Sequence, residues 1–185
     1  MNLEKLVEMQ RVLDERIVKG KNIQLSADEL FFNTVVALDV ELSEFANEGR
    51  WFKIWSDDQQ PRRGVEGFYK DSFLEEFVDG VHFFLSLANQ KGWQEELYLF
   101  EDAIEDLRND GFEGGLNGIY LEMKVFLFQS ADRKREEKER VFAFRAAWFL
   151  FISIGLIGFN FTWEQIEQAY YDKNKVNHKR QESGY

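Results

Sequence analysis

One proline in 185 residues is the strongest constraint this sequence places on its fold. Proline removes an amide donor and clashes with the preceding turn, so it interrupts helices more reliably than any other residue. Pro61 stands alone, inside the polar segment 56–69 that also holds two glycines. Long apolar stretches with a helical period run on either side. No period-two run bounded by hairpin turns predicts a strand. The expectation is an all-α chain, a helical bundle forming one domain over 1–185, with 56–69 as a loop between its two best helices.

Local signals place the elements. Residues 1–17, MNLEKLVEMQRVLDERI, carry acids and read as an amphipathic helix rather than a signal peptide. Ser26-Ala-Asp-Glu29 is a capping box that opens a helix to about Asn47, with Gly49 as its stop. Ser72-Phe-Leu-Glu75 opens the next helix, which closes near Gln90 ahead of Gly92. Further helices are expected over Gln94 to about Arg108, Leu121 to Phe128, from Val141 onward, and from the box Thr162-Trp-Glu-Gln165 to about Asn177. Gly114, Gly115 and Gly118 read as a loop, and the polar end HKRQESGY as a tail that is mobile in the free protein.

Charge and composition narrow the function. A net charge of −11 argues against general nucleic-acid binding, because an acidic surface repels phosphate backbones. It does not argue against a small phosphate ligand if a divalent metal lies between carboxylates and phosphates. The absence of cysteine excludes disulfides, thiolate metal sites and a cysteine nucleophile. Two histidines, His82 and His178, are too few for a His-rich transition-metal centre. The stretch 141–161 is almost continuously apolar, but Arg145 interrupts it, and the uncharged remainder from Ala146 falls short of the ~20 residues of a membrane span. It is expected to be a buried core helix or a dimer interface. The chain is expected to be cytoplasmic, with no membrane partner.

Two helices carry matching acid pairs, Glu41-Leu-Ser-Glu44 and Glu76-Phe-Val-Asp79. Residues three apart share a helix face, so each pair points its carboxylates the same way. Both helices are apolar around much of their circumference and belong inside a bundle. Four inward carboxylates would repel one another and lose hydration, a cost that a divalent cation removes. An all-oxygen ligand set suits Mg²⁺ or Mn²⁺. With 34 acids in the chain such pairs also arise by chance, as Asp39, Glu48 and Glu75 illustrate, so spacing alone leaves a metal site and an ordinary acidic face both open. Asp79-x-x-His82 superficially mimics a di-iron ligand pair, but there is only one such pair, and His82 reads as a core histidine.

These residues resemble the all-α nucleoside triphosphate pyrophosphohydrolase superfamily, whose signature is Glu-x-x-Glu followed by Glu-x-x-Asp. Further segments resemble its dimeric dUTPase branch: Gln10-Arg-Val-Leu13-Asp14 near the start, Lys53-Ile-Trp55 after the first pair, and Asp79-Gly-Val-His-Phe83-Phe84 in the second acid helix. The ending K-N-x-x-N-x-x-R-Q-x-x-G-Y, from Lys173 to Tyr185, is the most specific match.

The resemblance implies Mg²⁺-dependent hydrolysis of dUTP, and of dUDP, to dUMP, with Mn²⁺ as a possible substitute. It implies that Glu41, Glu44, Glu76 and Asp79 bind the metal, and that Glu44, or Glu41 next to it, polarises the attacking water. Lys173, Arg180 and Lys53 would meet the phosphates. Gln10, Asp14, Trp55, Phe83 and Asn177 would contact base and sugar, and 171–185 would close over the substrate. A homodimer is implied, with a cellular role in keeping uracil out of DNA and supplying dUMP. The alternatives are a sister enzyme acting on another nucleotide such as dCTP, and a non-catalytic helical interaction protein.

Overall fold

The computed structural model describes residues 1–64 and 71–183, and these are helical throughout their regular structure, with no strand among them. Residues 65–69 of the loop expected over 56–69, and Gly184 and Tyr185 of the C-terminal pattern, lie outside the described residues. The chain divides into two compact units. One comprises Met1–Gln90 with Trp163–Tyr185, the other Lys91–Thr162.

The first unit contains α1 (Leu3–Gly20), α2 (Ala27–Gly49), α3 (Ser72–Lys91) and α7 (Trp163–Glu182). The expected capping box opens α2: the Ser26 hydroxyl accepts from the Glu29 amide, and the Glu29 carboxylate accepts from the Ser26 amide at 2.9 Å. The helix runs through Gly49, and the left-handed residue that ends it is Arg50, at φ 62°. Gly49 is needed for a different reason than a helix stop. A Cβ there would sit 2.4 Å from the Trp51 ring and 2.7 Å from Phe73, so only a bare Cα lets those aromatics close over the helix end.

At α3 the sequence expectation is corrected. Asp71, not Ser72, caps the helix, accepting from the Leu74 amide at 2.9 Å. The Ser72 hydroxyl instead donates to Glu48 at 2.7 Å and so ties α3 to the end of α2. Spacing cannot separate two adjacent capping residues; the partner across the loop decides.

The last helix begins at Trp163 as expected but continues to Glu182, past the predicted end near Asn177. No proline or glycine interrupts that stretch, and the helix has something to pack on. Ile166 and Tyr170 are fully buried, the Tyr170 hydroxyl donates to the Leu6 carbonyl of α1 at 3.1 Å, and Arg16 of α1 reaches both His178 and Glu182.

The second unit contains α4 (Glu101–Asp110), α5 (Gly115–Ala131) and α6 (Glu137–Ser153), the last running into a π-helical turn, Ile154–Gly158. The helix expected from Gln94 divides into a short 3₁₀ turn, Gln94–Leu97, and α4. Gly118, expected in a loop, lies inside α5, where a Cβ would meet the Glu113 carbonyl at 2.2 Å. Ala143, Phe144, Ala147, Trp148, Phe151 and Ile152 are buried, and the Trp148 indole donates to the Leu97 carbonyl at 2.9 Å. The helical stretch Glu137–Gly158 is long and apolar enough to cross a membrane by length and composition, and 56% of that apolar window is buried within the protein.

Candidate active site

The carboxylates are placed by an aromatic clamp. Phe45, next to Glu44 on α2, stacks on Phe73 at 4.8 Å and packs against Phe77, next to Glu76 on α3, at 5.4 Å. All three rings are fully buried, so the register between α2 and α3 is fixed at the level of the acids. As a result one oxygen each of Glu41, Glu44 and Glu76 lies within 4.8 Å of the others. Glu41 and Glu76 are half-buried, while Glu44 is exposed at the surface end of the cluster.

Electrostatics follow from this crowding. Burial, then the neighbouring charges of Asp79, Glu44 and Glu76, push the Glu41 carboxyl up to about 7. Burial, then Asp79 and Glu44, push Glu76 to about 7 as well. A Mg²⁺ or Mn²⁺ ion with oxygens at about 2.1 Å holds its ligands at most about 4.2 Å apart. The cluster therefore fits one hard cation after small rotamer changes, and its donors are all oxygen. The unfavourable charge packing is what such a cation would relieve.

The fourth predicted ligand, Asp79, is turned elsewhere. Its carboxylate accepts from the Lys173 ammonium on α7, which also donates to Glu75 at 2.8 Å. The whole Lys173 residue is 9% exposed. Burial would lower its pKa, but the bonds to Asp79 and Glu75 outweigh that and raise it. Burial holds Asp79 above the usual carboxylate range despite the opposing bond from Lys173.

Gln10 and Asp14 sit in a second cluster. Gln10 is 3% exposed and its amide is fully engaged. Its oxygen accepts from Tyr170 at 3.0 Å and pairs with His82 Nδ1 at 2.6 Å; its nitrogen donates to Asp14 at 2.7 Å and meets Ser86 at 2.9 Å. Ser86 in turn donates to Asp14 at 2.7 Å. Burial pushes His82 down to about 3, so it is neutral, stacked on Tyr170, and a core histidine as the sequence suggests. Burial pushes Asp14 up to about 6.

The remaining predicted residues lie toward the surface. Lys53 donates to the Asn47 side chain at 2.5 Å. Trp55 is 74% exposed and meets Phe52 edge to face, while Phe83 and Asn177 are half-buried and Arg180 is exposed. The sequence reading missed Glu75, Ser86 and Tyr170. Glu75 precedes a predicted ligand directly, and Ser86 and His82 are four apart on one face of α3. Tyr170 lies three residues before Lys173. Each was signalled only as a neighbour of a named residue.

Carboxylates gathered on two packed helices, beside a buried ammonium, are the equipment of an all-α phosphohydrolase. The chain belongs to the dUTPase family: a family model described as dUTPase matches residues 2–185. Its activity is that of a dUTP diphosphatase, the hydrolysis of dUTP. No curated protein matches the chain.

Proposed function

We propose that the hydrolysis of dUTP here is Mg²⁺-dependent, yields dUMP and pyrophosphate, and extends to dUDP. The observation that carries this reading is the convergence of Glu41, Glu44 and Glu76. With Asp79 they would hold the metal, Mn²⁺ serving as a substitute. The bound ion supplies neutralisation of phosphate charge and a lowered pKa for attacking water. Glu44, exposed at the edge of the cluster, is the carboxylate best placed to take that water's proton, with Glu41 next to it. Lys173, Arg180 and Lys53 supply positive charge to the phosphates, Arg180 as a planar fork and the lysines as point charges.

Gln10, Asp14 and Asn177 are the polar groups assigned to base and sugar, and Trp55 and Phe83 the aromatic faces. Trp55 already offers its ring to solvent. Gln10 reads uracil only by exchanging one of its internal partners, so base binding and the packing of α1 on α7 are linked. The exposed last turns of α7 supply Asn177 and Arg180 and close on the substrate.

The apolar face of the second unit supports a homodimer. Leu121, Val125 and Phe128 recur on one side of α5, and Phe142, 65% exposed, packs on the neighbouring Phe126. The cellular setting is cytoplasmic, limiting uracil in DNA and supplying dUMP.

Product analysis with the four deoxynucleoside triphosphates, UTP and dUDP, with and without Mg²⁺, tests the reading. Mg²⁺-dependent dUMP from dUTP and dUDP alone is expected. Equal turnover of dCTP would overturn the base assignment and leave the carboxylate site standing.

A further inference from the structure

Asp79 lies outside the three-carboxylate cluster and is bonded to the Lys173 ammonium. We propose that Lys173 is a tethered counter-ion that competes with the metal for Asp79: in the metal-free protein its ammonium holds Asp79, and the ion must displace it to complete the ligand set. This inference rests on the proposed metal site.

Four observations converge on it. The Lys173 ammonium bonds Asp79 directly, and one ammonium cannot share a carboxylate oxygen with a divalent ion without like-charge contact. Asp79 follows Glu76 by three residues on α3, so the two carboxylates share one face of that helix. Glu75, one helical turn before Asp79, gives the ammonium a second anchor at 2.8 Å, so a displaced Lys173 keeps a partner. Glu75 and Lys173 also line an open groove with Leu74, Ala169 and Val176, which gives the side chain room to move.

The exchange has a direction useful for catalysis. Loading the metal releases the Lys173 ammonium from Asp79, with Glu75 as its remaining partner, so that it can turn to arriving phosphate oxygens. Lys173 is then delivered to substrate only in the metal-loaded enzyme, and α7, which carries it, is coupled to metal occupancy. Lys173 thus acts on the ion through Asp79, as a positioning residue in addition to its phosphate role.

Mn²⁺ binding to the full-length protein, followed by the electron paramagnetic resonance of the free ion, tests this without turnover. The proteins are the wild type, Lys173→Met, Asp79→Asn and the double variant, each checked for helical content by circular dichroism. Lys173→Met is expected to bind Mn²⁺ on the order of tenfold more tightly, the scale of one charge-assisted hydrogen bond lost by the competitor. Lys173→Arg, which keeps the charge, is expected to stay near the wild type. In the Asp79→Asn background the Lys173 substitution should change affinity less than about twofold, because the contested ligand is gone. An equal tightening in both backgrounds would reveal only through-space repulsion and overturn the competition. Mn²⁺ binding indifferent to Lys173 would overturn it too, with the metal site intact. Absence of Mn²⁺ binding by every variant would remove the metal site itself, and the competition with it.

Discussion

Glu41 and Glu76 carry the clearest signature of a site built for something positive. Both carboxyls stand near 7, against an ordinary value of 4.5. An acid whose pKa is raised in the fold is favoured there when protonated. Its cost therefore appears as pH rises from 4.5 toward 7 and is complete above that. A bound divalent ion removes the cost. The melting temperature should therefore rise more on adding Mg²⁺ at about pH 8 than at about pH 5.5; an equal rise at both would contradict the cluster as the binding site. Gln10 allows a second test. Its amide serves Asp14, Ser86, His82 and Tyr170 at once, Asp14 half-buried and the other three buried. Gln10→Ala removes all four bonds and takes from His82 Nδ1 its partner, and should cost on the order of 3 kcal/mol in urea unfolding. A loss below about 1 kcal/mol would mean that water or rearrangement replaces the amide. The acid pairs were legible in the sequence because a three-residue spacing maps directly onto one helix face. The preference of Asp79 for Lys173 was not, because that partner lies 94 residues away and only the packing of α7 on α3 reveals it.

Helix type and order were readable from the absence of breakers and from capping residues, and the Ser26–Glu29 box was placed correctly. Ends were harder, for reasons that differ by element. Gly49 and Gly118 look like punctuation but serve close approach, of aromatic rings in one case and a carbonyl in the other. Gly49→Ala should therefore destabilise by about 1–3 kcal/mol through overpacking, measured by chemical denaturation, although alanine has the higher helix propensity. Helix α7 outran its predicted end because contacts with α1, invisible to local pattern, extend its support. Its two halves should separate in truncation. Removing 177–185 deletes Asn177 and Arg180 and, of the contacts with α1, those of Arg16 to His178 and Glu182; it should abolish activity with only a small fall in melting temperature. Removing 172–185 also deletes the buried Lys173 and Asn174 and should lower it clearly. The reverse pattern would place the tail in the fold rather than at the substrate.

For the molecule as a whole, an acidic, cysteine-free, helical chain leaves few ways to handle a triphosphate, and a metal between carboxylates and phosphates is the simplest. The C-terminal pattern narrowed this to the dUTPase family at the sequence level, and the family match over residues 2–185 agrees. The association state was not legible from periodicity, since a buried core helix and an interface helix share the same composition. Helix α6 is both buried on one side and bears the exposed Phe142 on the other. Light scattering at micromolar concentration should give twice the 22.0 kDa chain mass, and Phe142→Glu should shift it toward the monomer. A monomeric wild type would leave that face without the role proposed for it.

The most direct measurement is the rate of dUMP formation from dUTP by the wild type and by Glu44→Gln, with and without Mg²⁺. Glu44 is exposed, so its neutral isostere should fold normally. The expected result is turnover by the wild type only with Mg²⁺, and a fall of about 10²-fold or more in kcat for Glu44→Gln at saturating metal. Turnover by the wild type in excess chelator, or an unimpaired Glu44→Gln, would contradict a metal-dependent carboxylate site.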